Sequence, residues 1–377
     1  MIERCKTPLT RRGCDYIKRI GNLYEEICSF DNLYEAYLTA RKGKKYREEV
    51  LEFTANLEEN LIEIQNELLH NTYEVGRYRE FFVYEPKQRM IMALPFKDRV
   101  IQWAIYRVVN PIFEKQFYEH SYACRVGKGT HSAADKLQEW LRIVNKKPDK
   151  WYYLKMDISK YFYRVDHDIL LKIMAKKIKD KELMDLLSLI INSESTKFGL
   201  PVGASLTETD IREGDKGMPI GNLTSQMFAN VYLNELDKFV NNELQAHHYV
   251  RYMDDFILLS NDKRQLHEWK ECIMVFLDEE LKLQTNNKTC VRPVSLGIEF
   301  VGFQIWFSHK KLRKSTVKRM KSHLKYLQKQ YSRHDIDIPS VRQAIMSYKG
   351  MLDQTDAHLL KTKMSQRYVF SRKQVKK

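Results

Sequence analysis

The stretch Val250-Arg251-Tyr252-Met253-Asp254-Asp255-Phe256-Ile257-Leu258-Leu259 places two adjacent acids in a tight bend between two apolar, β-prone runs. A bend of that kind fixes carboxylates at the edge of a sheet without burying their charge. Hard cations such as Mg²⁺ bind through one or two protein carboxylates together with substrate phosphate oxygens, so this is a strong place to hold one. Taken alone, the pair is equally read as an ordinary hairpin turn, because Asp favours such bends. A second acid lies upstream in Trp151-Tyr152-Tyr153-Leu154-Lys155-Met156-Asp157-Ile158, where an aromatic and aliphatic strand ends in Asp157 ahead of a helix-like segment. Asp157 could instead cap that helix. If the strand lies beside the hairpin, three carboxylates converge. Two Mg²⁺ ions about 3.5–4 Å apart on such a set can activate an attacking hydroxyl and stabilise a leaving pyrophosphate, which suits nucleotidyl transfer.

Tyr252-Met253-Asp254-Asp255 and Asp157 resemble the catalytic box and the first metal-binding acid of the reverse transcriptase family. The resemblance runs from about Tyr73 to Trp306 and continues more weakly beyond. It implies a right-hand polymerase of fingers, palm and thumb, an α+β fold with a ferredoxin-like palm sheet. Asp157, Asp254 and Asp255 would be catalytic and would bind two Mg²⁺ ions, with Mn²⁺ as the alternative; Ile158 is grouped with them at the metal. Glu85-Pro86-Lys87-Gln88-Arg89, followed by Ala93 to Gln102, looks like the fingers motif whose cations hold the incoming triphosphate, which makes Lys87 and Arg89 candidates. Arg clamps phosphate bidentately and Lys acts as a point charge, so both suit that task, although a solvated strand end reads the same way.

Ser121-Tyr122-Ala123-Cys124-Arg125-Val126-Gly127-Lys128-Gly129-Thr130-His131 joins glycines and two cations ahead of an amphipathic helix, and its order in the chain makes Arg125 and Lys128 template or nucleotide contacts. Phe162 stands where the family carries the aromatic that crowds the sugar 2′ position, which implies discrimination against ribonucleotides; an ordinary core ring is the bland alternative. Asn286-Asn287-Lys288-Thr289 is similar to the motif whose Lys approaches the leaving pyrophosphate, so Lys288 is a candidate general acid or a plain surface cation. Gly297 to Ile305 alternates apolar residues through Gly302 and matches the primer-grip hairpin.

Met218-Pro219-Ile220-Gly221-Asn222-Leu223-Thr224-Ser225-Gln226 is the most discriminating segment. Most reverse transcriptases carry Gln-Gly, three variable residues and Ser-Pro here; this chain has Ile220 for that Gln and Gln226 for that Pro. The form looks like the enzymes of diversity-generating retroelements, which copy a template RNA into cDNA with errors concentrated at adenines in mutagenic retrohoming. Ile220, Gly221 and Gln226 would then face the nascent pair, and an aliphatic at 220 cannot hydrogen-bond it as an amide can. A helix-capping turn with a packed Ile is the other reading. The same resemblance implies a small basic accessory protein as partner, beside template RNA, primer or cDNA and dNTPs. Other bacterial enzymes of the family (retron, phage-defence or group II intron types) and a basic RNA-binding scaffold with a dead polymerase fold are the alternatives.

Composition is compatible with these expectations. The 377 residues, 43% of them hydrophobic, suffice for two or three subdomains, and a net charge of +15 calls for a polyanionic partner. No run of about 20 apolar residues suggests a membrane span. The six cysteines show no close pair of metal-ligand spacing, and reduced thiols in the cytoplasm are expected of a bacterial or phage-encoded protein. The chain is divided into a helical extension (1–72), fingers (73–150), palm (151–308, with a loop at 198–216) and a basic helical thumb and tail (309–377). Glu48 to Leu69 reads as one helix, and Leu312, Val317, Met320, Leu324 and Leu327 keep helical spacing.

Overall fold

The computed structural model describes residues 19–84, 89–193, 198–200 and 213–372. The chain begins with helices α1 (Leu23–Cys28), α2 (Phe30–Ala40), α3 (Glu48–Ala55) and α4 (Leu57–Leu69), strands β1 (Arg79–Val83) and β2 (Arg89–Ala93), and helix α5 (Phe96–Glu114). Helix α6 (Thr130–Asn145) and strand β3 (Tyr152–Asp157) follow, then helices α7 (His167–Ala175), α8 (Lys181–Ile191) and α9 (Leu223–Lys238). Next come β4 (Tyr249–Tyr252), β5 (Asp255–Ser260), α10 (Lys263–Leu281) and β6 (Cys290–Pro293). Strands β7 (Ile298–Phe300), β8 (Phe303–Ile305) and β9 (Lys310–Leu312) lead into α11 (Lys314–Ser332), α12 (Ile338–Asp353) and α13 (His358–Arg367). Contacts group the chain into two compact units that interleave along it: Met1–Glu119, Asp157–Ala246 and Trp269–Lys288 form the first, and His120–Met156, His247–Glu268 and Thr289–Lys377 the second.

In the first unit, α5 packs on α2 and α9. Its Val100, Ile101, Ala104, Ile105, Val108 and Val109 recur at helical spacing and are all buried. Helix α9 is buried on nearly every side, as a helix inside a core must be, and its polar groups are answered locally. Tyr161 donates to the Ala229 carbonyl (2.7 Å) and Asn234 Oδ1 accepts from Tyr118 N (3.3 Å). The single helix expected over Glu48 to Leu69 is two, because Asn56 leaves the helical region (φ −122°, ψ 52°). Asn60 Nδ2 then donates to the Phe53 carbonyl that the break releases (2.9 Å). Of the loop expected at 198–216, residues 201–212 lie outside the described residues; Gly199 and Glu213 exchange backbone hydrogen bonds of 3.0 and 3.2 Å across its ends.

The second unit is built on a four-stranded sheet in the order β4-β5-β3-β6. The first and third of these strands in chain order occupy the middle, and β4/β5 and β3/β6 pair antiparallel. Helices α7 to α9 separate β3 from β4, and α10 separates β5 from β6, which is the split βαβ, ferredoxin-like connection expected for an α+β palm. Val250, Ile257, Leu259 and Tyr153 of the sheet share one apolar core with Leu137 and Leu141 of α6, Phe300 and Phe303 of the β7–β8 hairpin, and Met320 and Leu324 of α11. Leu312 belongs to β9, so the helical spacing expected from it begins instead at Val317, inside α11.

No helix among the described residues is long and apolar enough to cross a membrane. Cys28, Cys124 and Cys290 are free thiols. Cys272 is disulfide-bonded, against the expectation of reduced cysteines throughout. Spacing along the chain cannot reveal cysteines that folding brings together.

Candidate active site

In the second unit, Tyr252 pairs with Asp255 across β4 and β5, so the hairpin loop consists of Met253 and Asp254 alone. Two-residue hairpins need a positive φ at the first loop position, usually from Gly. Here Met253 adopts it (φ 57°), storing strain beside the acids. The fully buried Arg251 donates from its guanidinium to the Met253 carbonyl (3.1 Å), which holds that conformation from beneath. Asp255 opens β5 and ion-pairs through Oδ2 with Lys155 Nζ of β3 at 3.1 Å, their side chains 25% and 15% exposed. Lys155 also donates to the Glu299 carbonyl of β7 (2.6 Å).

Asp157 is the last residue of β3, the strand next to β5 in the sheet, and the point at which the chain passes from one unit to the other. Side chains alternate along a strand, so Asp157 and Lys155 share one face while Leu154 and Met156 are buried on the other side or beneath it. Asp157 does not cap the following helix: Asp166 does, accepting from Ile169 N (3.0 Å). Ile158 buries a side chain that carries no donor atom, so only its main-chain carbonyl could serve a cation.

Within the first unit, the Asp157 carbonyl accepts from Asn286 N (2.8 Å), Ile158 bridges Thr285, and Ser159 N donates to the Gln284 carbonyl (2.7 Å). Asn286 Oδ1 accepts from Lys288 N (2.8 Å), so the exposed Lys288 is carried on a turn pinned to the Asp157 segment. Among the described residues no group of three or more His, Cys, Asp or Glu could hold a metal by itself. The donors on offer, hard carboxylates left partly exposed, fit a cation such as Mg²⁺, which needs only one or two of them and completes its shell with water and substrate phosphate.

The first unit also gathers several candidates for nucleotide contact. Phe162 and Ile220 pack on one apolar cluster with Tyr78, Met90, Met92 and Tyr163. Backbone bonds weld this cluster: Met218 N donates to the Phe162 carbonyl (2.6 Å) and Met92 N to the Ile220 carbonyl (2.9 Å). Asn222 Nδ2 adds a bond to Tyr78 Oη (2.8 Å). Arg89 begins β2, exposed, three residues ahead of Met92. Lys87 lies outside the described residues.

Gly221 and Gln226 do not join Ile220 in that cluster; they line a separate cavity of about 510 Å³ together with Lys44, Arg47, Arg77, Arg79, Arg99 and Phe81. The helix turns Gln226 away because it lies one turn inside α9, whereas Ile220 precedes the helix. Burial, Arg99 and Arg47 lower the Lys44 pKa, since each disfavours its charged form. The wall bearing Arg77 and Arg79 is anchored by buried Asp98, which accepts from Tyr73 Oη (2.7 Å) and Gly76 N (2.8 Å). Sequence reading missed these cations, although the Arg77-x-Arg79 spacing of a strand end was visible.

In the second unit, Arg125 folds back onto the Ser121 carbonyl (2.8 Å), and Lys128 Nζ lies 5.2 Å from the centre of the Tyr122 ring. Both therefore brace the loop before α6. Val301 (φ 42°) and Gly302 (φ 90°) form the two-residue turn joining β7 to β8, and a side chain added at Gly302 would meet open space. Arg313 at the head of α11 closes this corner, donating from N to the Gly302 carbonyl (3.0 Å) and ion-pairing with Glu299 (2.5 Å).

Comparison with known proteins finds that residues 85–305 match the model of the family described as reverse transcriptase (RNA-dependent DNA polymerase). Protein YkfC of Escherichia coli (strain K12) is 28% identical over 279 residues, covering 64% of this chain and 70% of that protein. The group II intron-encoded protein LtrA of Lactococcus lactis subsp. cremoris is 24% identical over 367 residues, covering 79% of this chain and 58% of LtrA. Among solved structures, apo telomerase from Candida tropicalis truncated from its C-terminal domain overlaps 63% of this chain and 55% of its own, with a TM-score of 0.46 and 15% identity.

Proposed function

The chain belongs to the reverse transcriptase (RNA-dependent DNA polymerase) family, and from that premise we propose that it copies an RNA template into cDNA by extending a primer with dNTPs. The observation that carries this reading is the two-residue hairpin of Asp254 and Asp255, set beside the strand that ends in Asp157. In this proposal the three acids hold the divalent ions, with the Ile158 main chain beside them. Divalent ions held there would supply activation of the primer hydroxyl and charge neutralisation at the leaving pyrophosphate. Lys288, on its turn beside Asp157, supplies a proton to the departing pyrophosphate.

Lys87 and Arg89 take the triphosphate, and the Phe162 ring, packed on the Met90, Met92 and Ile220 cluster, excludes a 2′-hydroxyl. The five cations of the Arg77, Arg79 cavity take template phosphates. Arg125, Lys128 and the Gly302 turn contact nucleic acid on the second unit. Fingers at 73–150, palm at 151–308 and thumb at 309–377 remain our division of these tasks. Replacing Arg77 and Arg79 by Gln while following RNA binding and primer extension tests it: binding should fall with the chemistry retained.

At the finer level we assign the enzyme to the diversity-generating retroelement type, working in the cytoplasm with a small basic accessory protein. What supports this is Ile220 and Gln226, which replace the amide and the proline usual at those positions. Ile220 offers the incoming pair an apolar surface, and the backbone bond from Met92 holds it there. A group II intron-like enzyme is the second reading, favoured by the curated relative named for such an intron. Sequencing cDNA made on a defined template separates the two: errors concentrated opposite adenine favour the first, an even and low spectrum the second.

A further inference from the structure

Lys155 reaches two structures of the second unit, the acid bend and the β7–β8 hairpin. Its ammonium stands 3.1 Å from Asp255 Oδ2 and donates at 2.6 Å to the Glu299 carbonyl in β7. Glu299 in turn sends its carboxylate to Arg313, whose own backbone N–H closes the Gly302 turn. An unbroken polar chain thus runs from the acid bend, through one strand of the β7–β8 hairpin, to the first turn of α11. All of it lies within one compact unit.

The charge on Lys155 has a definite consequence. The backbone of Asp255 is already fixed by its ladder pairing with Tyr252, so the lysine is not needed to hold that residue in place. Its positive charge, only 15% exposed, instead competes for the Asp255 carboxylate with any cation bound there. A cation that draws on Asp255 loosens one end of the lysine, and the bond to Glu299 at the other end feels the change.

We propose that Lys155 is a positioning residue that tempers metal affinity at Asp255 and ties the acid bend to the Gly302 hairpin through Glu299. This rests on the metal-binding reading of the acids given above. A purely structural lysine would change stability and leave metal affinity alone, which distinguishes the two.

The test uses the full chain without nucleotide. Mn²⁺ is titrated into the wild type, Lys155→Gln, Lys155→Arg, Arg313→Gln and Asp254→Asn, and free Mn²⁺ is read from its paramagnetic resonance signal; primer KM and kcat are then measured with Mg²⁺. Lys155→Gln should bind Mn²⁺ on the order of tenfold more tightly, as removing a like charge implies, and show a primer KM raised several-fold. Lys155→Arg should restore Mn²⁺ affinity toward the wild type. Arg313→Gln, which cuts the far end of the chain, should raise primer KM and leave Mn²⁺ affinity unchanged; it remains informative if Lys155→Gln does not fold. Unchanged or weaker Mn²⁺ binding in Lys155→Gln overturns the proposal while leaving the metal site standing. Wild-type binding no tighter than that of Asp254→Asn overturns the metal reading, and this proposal with it.

Discussion

Adding one methyl group at Gly221 tests whether the Met218–Gln226 segment and strand β2 are locked together. Gly221 has φ +130°, and a Cβ there would lie 2.7 Å from the Met92 carbonyl oxygen and 3.2 Å from Ile91 Cγ2. The strand cannot simply retreat, because Met92 N is bonded to the Ile220 carbonyl (2.9 Å). The unfavourable torsion costs about 1–3 kcal/mol. The overlap with a fixed backbone adds about 1–3 kcal/mol. Gly221→Ala should therefore lose about 2–6 kcal/mol, a large share of the roughly 5–15 kcal/mol that keeps a protein folded. Gly302→Ala is the control: its φ is +90°, but its Cβ meets nothing within 4 Å, so only the torsional part applies. Urea unfolding followed by circular dichroism measures both, and primer extension gives the dNTP KM. Gly221→Ala should unfold at clearly lower urea than Gly302→Ala and, where it folds, raise the dNTP KM by opening the cluster around Phe162 and Ile220. Equal midpoints and an unchanged KM would mean that the segment and strand β2 are not locked together.

Phe162→Ala removes the ring proposed to exclude the 2′-hydroxyl, so incorporation of ribonucleotides relative to deoxyribonucleotides should rise at least tenfold in single-nucleotide kinetics; an unchanged ratio returns Phe162 to the core. Ile220→Gln should lower misincorporation opposite template adenine more than opposite other bases, read by sequencing cDNA, with overall extension retained because Gly221 and the helix entry are untouched. RNA affinity should fall steeply with salt, and replacing Arg77 and Arg79 by Gln should reduce the logarithmic slope by about 0.7 per lost phosphate contact. Because Lys44 is held below its usual pKa by burial and by Arg99 and Arg47, a bound phosphate raises it again, so binding takes up protons. Affinity should then weaken as pH rises through the lowered value, and Lys44→Gln should remove that dependence.

The acid hairpin was legible because it depends on local chemistry: two β-prone apolar runs and a bend that Asp accepts. The ferredoxin-like connection of the strands around it was available only as what the family resemblance implied, because pairing order depends on contacts distant in the chain. Other features were decided at a distance. Asp157 could be a cap or a strand end on sequence grounds, and only the appearance of Asp166 at the head of α7 removes the first option. The break at Asn56 carries no Pro or Gly, and periodicity runs through it unmarked. Ile220 and Gln226 read as a pair because they stand in one motif, yet the entry into α9 between them sends one to an apolar cluster and the other to a basic cavity. That cavity draws Lys44, Arg47, Arg77, Arg79 and Arg99 from several elements, and each alone is an unremarkable surface cation until folding assembles them. Lys155 was invisible for the same reason, since its two partners lie on β5 and β7.

We propose above that Asp157, Asp254 and Asp255 carry metal-dependent nucleotidyl transfer. The most direct test of that assignment is primer extension on an RNA template with Mg²⁺ by the wild type, Asp157→Asn and Asp254→Asn, beside RNA binding by the same proteins. Each Asn variant keeps the size of the side chain and removes the ligand charge, so cDNA synthesis should fall by at least a thousandfold, about 4 kcal/mol of lost transition-state stabilisation. RNA affinity should stay within about threefold of wild type, because the basic surface is untouched. Extension at wild-type rates in either variant would show that these acids do not carry the reaction.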